Sequence, residues 1–127
     1  EETADFAARL KQEGANFVHI STAGVAAQQK IPVGPEFQVP FAKLVKDKTG
    51  LPTITVGLIT EPQKADDIIA RGDADLVGLA RSFLYKPRWM WEAAAALQGT
   101  VEASPQYWRS LPREAQTIFG PVRVGQR

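Results

Sequence analysis

Three times along this chain an amphipathic stretch ends on a glycine and runs into a short apolar strand. The first stretch covers roughly 2–13, with Phe6, Ala7 and Leu10 on one face and Gly14 just beyond, and feeds 16-NFVHIS-21. The second covers roughly 38–49, with Phe41, Leu44 and Val45 on one face and Gly50 after it, and feeds 52-PTITVG-57. The third covers roughly 61–71, with Ala65, Ile68 and Ile69, then Gly72, and feeds 74-ADLVGLA-80. Apolar spacings of three and four mark helices that bury one face. Glycine past a helix end adopts the left-handed C′ conformation at little steric cost. The strands are β-branched with few charges, as in a parallel sheet covered by helices on at least one face. Helices alternating with strands imply right-handed βαβ crossovers and an α/β fold.

A further helix is expected at roughly 88–98, carrying Trp89, Met90, Ala93, Ala94 and Leu97. After Gly99 the period is lost, and a tail with Pro105, Pro112 and Pro121 is expected to run over the surface. Three parallel strands alone leave both sheet edges open. A doubly wound fold normally has five strands, which the pattern does not supply. A (β/α)8 barrel uses about 30 residues per unit, so three units and a tail correspond to its last part, the C-terminal portion of a TIM barrel. The expected division is 1–99 for the last three units and 100–127 for a C-terminal extension.

Composition narrows the chemistry. Of 127 residues, 15 are basic and 14 acidic, for a net charge of +1, and no basic stripe is present. That balance argues against electrostatic binding of nucleic acid. The absence of cysteine removes disulfides, thiolate metal sites and a cysteine nucleophile, and one histidine, His19, leaves little for a zinc site or a triad. No apolar run approaches the roughly 20 residues that span a bilayer, and no secretory signal is present, so a cytoplasmic location is expected.

In parallel α/β folds function sits at the carboxyl ends of the strands. The segment after the first strand, 21-STAGVAAQQKIPVGPEF-37, is long for such a loop, and reads equally as a functional loop or a surface excursion. After the second strand, Gly57 either allows close approach of the backbone to a ligand or makes a simple bend. After the third comes Ala80-Arg81-Ser82. Backbone N–H groups and a guanidinium there suit a phosphate; the competing reading is an ion pair between Arg81 and a neighbouring carboxylate. A short helix is expected at 82–85, closed by Pro87. His19 shares a strand face with Phe17 and Ser21, and is expected as a hydrogen-bonded core residue. Trp89 and Trp91 are expected to pack, and Trp108 stands apart because it lies beside Tyr107 and Arg109 in the irregular tail.

The runs 38-QVPFAKLVKDKTGLPTITVGLIT-60, 72-GDADLVGLARSFLYKPRWMWEAAAAL-97 and 105-PQYWR-109 resemble the C-terminal part of old yellow enzyme relatives. The likeness is greatest to the bacterial NADPH dehydrogenase and xenobiotic reductase type, the thermophilic-like ene-reductases. The resemblance implies a (β/α)8 barrel holding FMN, with NAD(P)H as reductant of an activated alkene, and this chain as strands six to eight. It implies that Ala80 and Arg81 grip the FMN phosphate, with alanine where the family often has glycine. Gly57 then approaches the phosphate side, and Ser21 lies near the flavin. Arg109, with Tyr107 and Trp108, reaches a neighbouring subunit's active site in a homo-oligomer. The family's proton-donating tyrosine and substrate-binding histidine pair do not fall in this chain, and His19 occupies neither position. The chain is therefore expected to be inactive without the N-terminal portion of the barrel. The alternative is a stand-alone phosphate- or flavin-binding module, or a swapped structural fragment.

Overall fold

A computed structural model describes residues 2–22, 24 and 26–120. The chain divides into two compact units, Glu1–Thr60 with Lys64–Ala80, and Glu61–Gln63 with Arg81–Arg127. The first holds α1 (Glu2–Gln12), β1 (Val18–Ile20), α2 (Val39–Thr49), β2 (Thr53–Thr55), most of α3 (Pro62–Ala70), and β3 (Leu76–Val77). The second holds α4 (Arg81–Tyr85), α5 (Trp89–Ala96) and two short 3-10 helices, Pro105–Ser110 and Arg113–Ala115.

The strands form one parallel sheet in the order β1-β2-β3. Val18 lies opposite Thr53 and Ile20 opposite Thr55, while Thr55 faces Val77. These residues share one face, and helices cover it. Ile20, Val39, Ala42, Val45, Ile59 and Ile68 are all buried in a single cluster, with Ala4 and Ala7 of α1 included. Pro40 at the start of α2 costs no helical hydrogen bond, because the first turn has no acceptor for its missing N–H. The helix stops at Gly50, whose φ of 66° is left-handed and whose N–H bonds the Lys46 carbonyl at 2.8 Å.

The other face behaves differently. Phe17, His19, Ile54 and Leu76 alternate onto it by the register, and Phe17 and Leu76 are 58% and 57% exposed. His19 is exposed and makes no hydrogen bond among the described residues, so the expected core histidine is not one. The helix face accounts for the enclosed core, and His19 points away from it.

β3 is shorter than expected, since only Leu76 and Val77 are assigned to the ladder. Its entry is held by both backbone and side chain of Asp75, whose N–H donates to the Thr53 carbonyl at 3.0 Å. Asp75 accepts the Thr53 N–H at 2.9 Å and the Lys46 ammonium at 2.9 Å, which ties β3 to β2 and α2. The Thr53 N–H first, and Lys46 second, hold its carboxyl below the ordinary carboxylate range.

The second unit has its own small core. Ala94, Ala115 and Ile118 are buried, with Trp91, Val101, Leu111 and Phe119 packed against them. The tail is therefore folded as far as Gly120 rather than merely draped, because Val101 N–H bonds the Ile118 carbonyl at 2.7 Å and closes it into a loop. Among the described residues, no helix is long and apolar enough to cross a membrane.

Thr53 and Thr55 are fully buried, yet their hydroxyls have no hydrogen-bond partner among the described residues. An unmade buried hydrogen bond costs about 1–3 kcal/mol, which offsets much of what burying a side chain of that size contributes. Thr55→Val is therefore expected to raise the unfolding free energy by about 1 kcal/mol, read by urea denaturation; a loss would show that the hydroxyl has a partner. Asp75→Asn tests the staple. A carboxylate with a depressed folded pKa stabilises above its unfolded pKa, and that stability is lost as pH falls through the folded value. The Asp75 side chain is 38% exposed, so solvent limits the deficit to under about 1 kcal/mol at neutral pH. Wild type and variant should converge as pH falls through the depressed folded pKa of Asp75 when unfolding is followed across pH.

Candidate functional site

A parallel sheet places the exits of all its strands at one end, so the loops after β1, β2 and β3 are the natural place to look. The exit of β1 is held from a distance. Ser21 is exposed, and the N–H of the next residue, Thr22, donates to the Gln38 side-chain carbonyl at 2.7 Å. Gln38 is only 4% exposed and occupies the N-cap position of α2 without capping it. Residues 23 and 25 of the long loop lie outside the described residues. The end of that loop returns to the sheet: Glu36 N–H bonds the Gly57 carbonyl at 3.0 Å. The segment is thus anchored to the exit of β2 and is not a free excursion.

Gly57 has a φ of 113°, and a Cβ there would meet the Phe37 ring at 3.0 Å and Gln38 Cγ at 3.1 Å. Glycine is required at this turn by the chain's own packing, whatever it binds. Leu58 follows with a φ of 52°, so two consecutive residues have positive φ. For leucine that conformation costs roughly 1–2 kcal/mol. The Gly57 carbonyl is taken by Glu36, while its N–H meets no acceptor among the described residues.

After β3, Ala80 is exposed and its N–H likewise finds no acceptor among the described residues. Arg81 opens α4, is exposed, and pairs with no described carboxylate. Ser21, Gly57 and Ala80 belong to the first unit, and Arg81, Tyr107, Trp108 and Arg109 to the second.

Tyr107, Trp108 and Arg109 lie on the 3-10 helix Pro105–Ser110. Trp108 is half-buried and donates its indole N–H to the Ala103 carbonyl at 3.0 Å, which makes it an anchor of its own segment. Arg109 and Tyr107 are exposed. Trp89 is buried, with Phe83 edge-on at 5.9 Å, and Trp91 packs edge-on against Phe119 at 4.9 Å, as expected of packing residues.

A shallow hollow of about 310 Å³ lies elsewhere in the first unit, lined by Glu36, Lys43, Arg71 and Asp73 among others. Its cations are already engaged: Arg71 with Asp73 at 2.8 Å and Glu36 at 3.2 Å, and Lys43 with Asp47 at 2.9 Å. It is a solvated ion-pair network rather than a ready anion site.

Sequence reasoning missed Gln38 and Phe37, which join the exits of β1 and β2. The one available signal was glutamine where a helix start usually has Ser, Thr, Asp or Asn.

Comparison with known proteins bears on all of this. Residues 1–99 match the model of the NADH:flavin oxidoreductase / NADH oxidase family. The chain is 41% identical over 104 residues to an NADPH dehydrogenase of Geobacillus sp. (strain WCH70), covering 82% of this chain and 30% of that protein. It is 41% identical over 101 residues to the NADPH dehydrogenase of Geobacillus thermodenitrificans, covering 80% and 29%. With the NADPH dehydrogenase of Listeria innocua the identity is 36% over 110 residues, covering 87% and 32%. The chain spans about a third or less of the length of these curated relatives. The family match takes in all three strands, both exits built on Gln38, and Arg81, so the chain belongs to the NADH:flavin oxidoreductase / NADH oxidase family.

Proposed function

We propose that this chain supplies the phosphate end of an FMN site in an NAD(P)H-dependent oxidoreductase that reduces activated C=C bonds. The observation that carries the reading is the set of uncommitted donors at the strand ends of a chain that matches this family over residues 1–99. The Gly57 and Ala80 N–H groups and the Arg81 guanidinium have no acceptor among the described residues, and such donors suit a phosphate dianion. These residues fit the group. Arg81 and the Ala80 amide would hold the phosphate, the Gly57 amide would approach it, and Ser21 would lie beside the flavin. The chemistry FMN supplies when bound is two-electron transfer between a nicotinamide and an electron-poor alkene.

In this reading β1, β2 and β3 are strands six to eight of a (β/α)8 barrel, residues 1–99 are its last three units, and 100–127 extend to a subunit interface. The uncovered sheet face, with Phe17 and Leu76 more than half exposed, supports closure by the rest of a barrel. The proton donor and the groups that hold the alkene come from that other portion, so this chain turns over substrate only with it. Arg109, beside Tyr107 and Trp108, contacts the active site of a neighbouring copy in a homo-oligomer.

Arg81→Ala is expected to weaken FMN binding by roughly 10- to 100-fold, the worth of a charge-assisted pair, and to leave riboflavin binding unchanged. Equal loss for both flavins, or loss for neither, would place Arg81 away from the phosphate; fluorescence titration of the complete barrel distinguishes these. For Arg109→Ala, mixed oligomers with a partner inactivated at its own flavin site are informative. Activity should fall when the mutant arginine faces the intact site, with FMN affinity unchanged; insensitivity to which subunit carries the mutation would oppose the intersubunit role.

A further inference from the structure

The 3-10 helix Pro105–Ser110 is six residues long, beyond the usual run of three or four, and its hydrogen-bond geometry is inherently poor. Among the bonds that shape it are Trp108 to the Ala103 carbonyl, the Ser110 hydroxyl to the Tyr107 carbonyl at 2.7 Å, and the Tyr107 N–H to the Ser104 carbonyl at 3.0 Å. These bonds are local, all within residues 103–110. One contact with α5 comes from an arginine that sequence reading did not single out. Arg88, at the N-cap position of α5, places its Cζ 4.1 Å from the Trp91 ring centroid and 4.2 Å from that of Tyr107. The two rings meet edge to face, with centroids 5.7 Å apart and planes at 61°. The guanidinium therefore sits in the notch between two π faces. Trp91 follows Arg88 by three residues, which puts both on one side of the helix. Phe119 backs Trp91 from another side at 4.9 Å.

Arg88 makes no ion pair with a described carboxylate, so its charge is committed to the rings. A planar, weakly hydrated guanidinium suits such a notch better than an ammonium.

We propose that Arg88 is a positioning residue: by clamping Tyr107 onto Trp91 it holds the Pro105–Ser110 turn and, through it, orients Arg109. The consequence for activity rests on the role proposed above for Arg109; the clamp itself does not.

Hydrogen exchange and steady-state kinetics on the complete flavin-loaded barrel test the two parts separately, with 2-cyclohexenone as the alkene probe. In Arg88→Ala, amide exchange in 105–110 should speed about fivefold, the worth of an exposed cation–π contact, while the last turn of α5 keeps its rate. KM for the alkene should rise by a similar factor with kcat unchanged, and Arg88→Lys should recover part of both. In an Arg109→Ala background, Arg88→Ala should raise KM no further. Unchanged exchange in 105–110 overturns the clamp. A KM effect that persists in full without Arg109 overturns the route through Arg109. If Arg109→Ala alone leaves KM unaltered, the role of Arg109 fails while the exchange result still decides the clamp.

Discussion

Ala42 and Val45, one turn apart on α2, are sealed against the sheet, and the layout of the first unit follows from that contact. The helix lies over β1 and β2, and α1 packs beside it, with the Lys11 ammonium bonded to the Thr49 carbonyl at 2.7 Å. Once α2 is seated, its N-terminus is carried to the strand exits. There Gln38 reaches the loop after β1, and Phe37 fills the space beside Gly57. A buried amide and a partly buried ring thus set the spacing of two loops that local sequence would leave independent. Removing the helix contact would release both at once.

The same arrangement explains the polar character of the strand ends. Helix packing consumes one face of the sheet, and at the exits the Gly57 and Ala80 N–H groups meet no acceptor among the described residues. Ala80 and Arg81 are exposed there, so water meets these donors in the isolated chain and a ligand would have to displace it. Gly57 meets an internal packing demand. Its missing side chain makes room for Phe37, while its N–H stays available. Leu58 in a left-handed conformation adds local strain to the same turn, and strain of that kind gathers where backbone is shaped for a purpose.

The two sheet faces divide labour. Thr53 and Thr55 point into the helix layer even though they carry hydroxyls, while Phe17 and Leu76 point outward even though they are apolar. Polarity alone would assign these four residues the other way round. Strand alternation decides instead: once Val18, Ile20 and Val77 enter the helix layer, their register partners Thr53 and Thr55 must follow. Beyond the sheet, the Arg88 guanidinium lies against the Trp91 and Tyr107 rings, and a proline-rich stretch without period takes a defined shape through Gly120 with Val101 bonded to Ile118.

Helix and strand order, the glycine stops, the parallel α/β class and the family were legible in the residues, because they rest on local spacing and on runs of residues met in order. Ala80, Arg81 and Gly57 were legible as candidates because position after a strand is a local property. The face taken by His19, the length of β3 and the folding of the tail were not. They depend on which helix covers which side, on Asp75 capturing the Thr53 N–H, and on the closure of Val101 onto Ile118. Gln38 and Arg88 stayed hidden for the same reason. Each acts on a partner 16 or more residues away, Thr22 for one and Tyr107 for the other, and spacing along a chain says nothing of contacts made only when the chain has closed on itself.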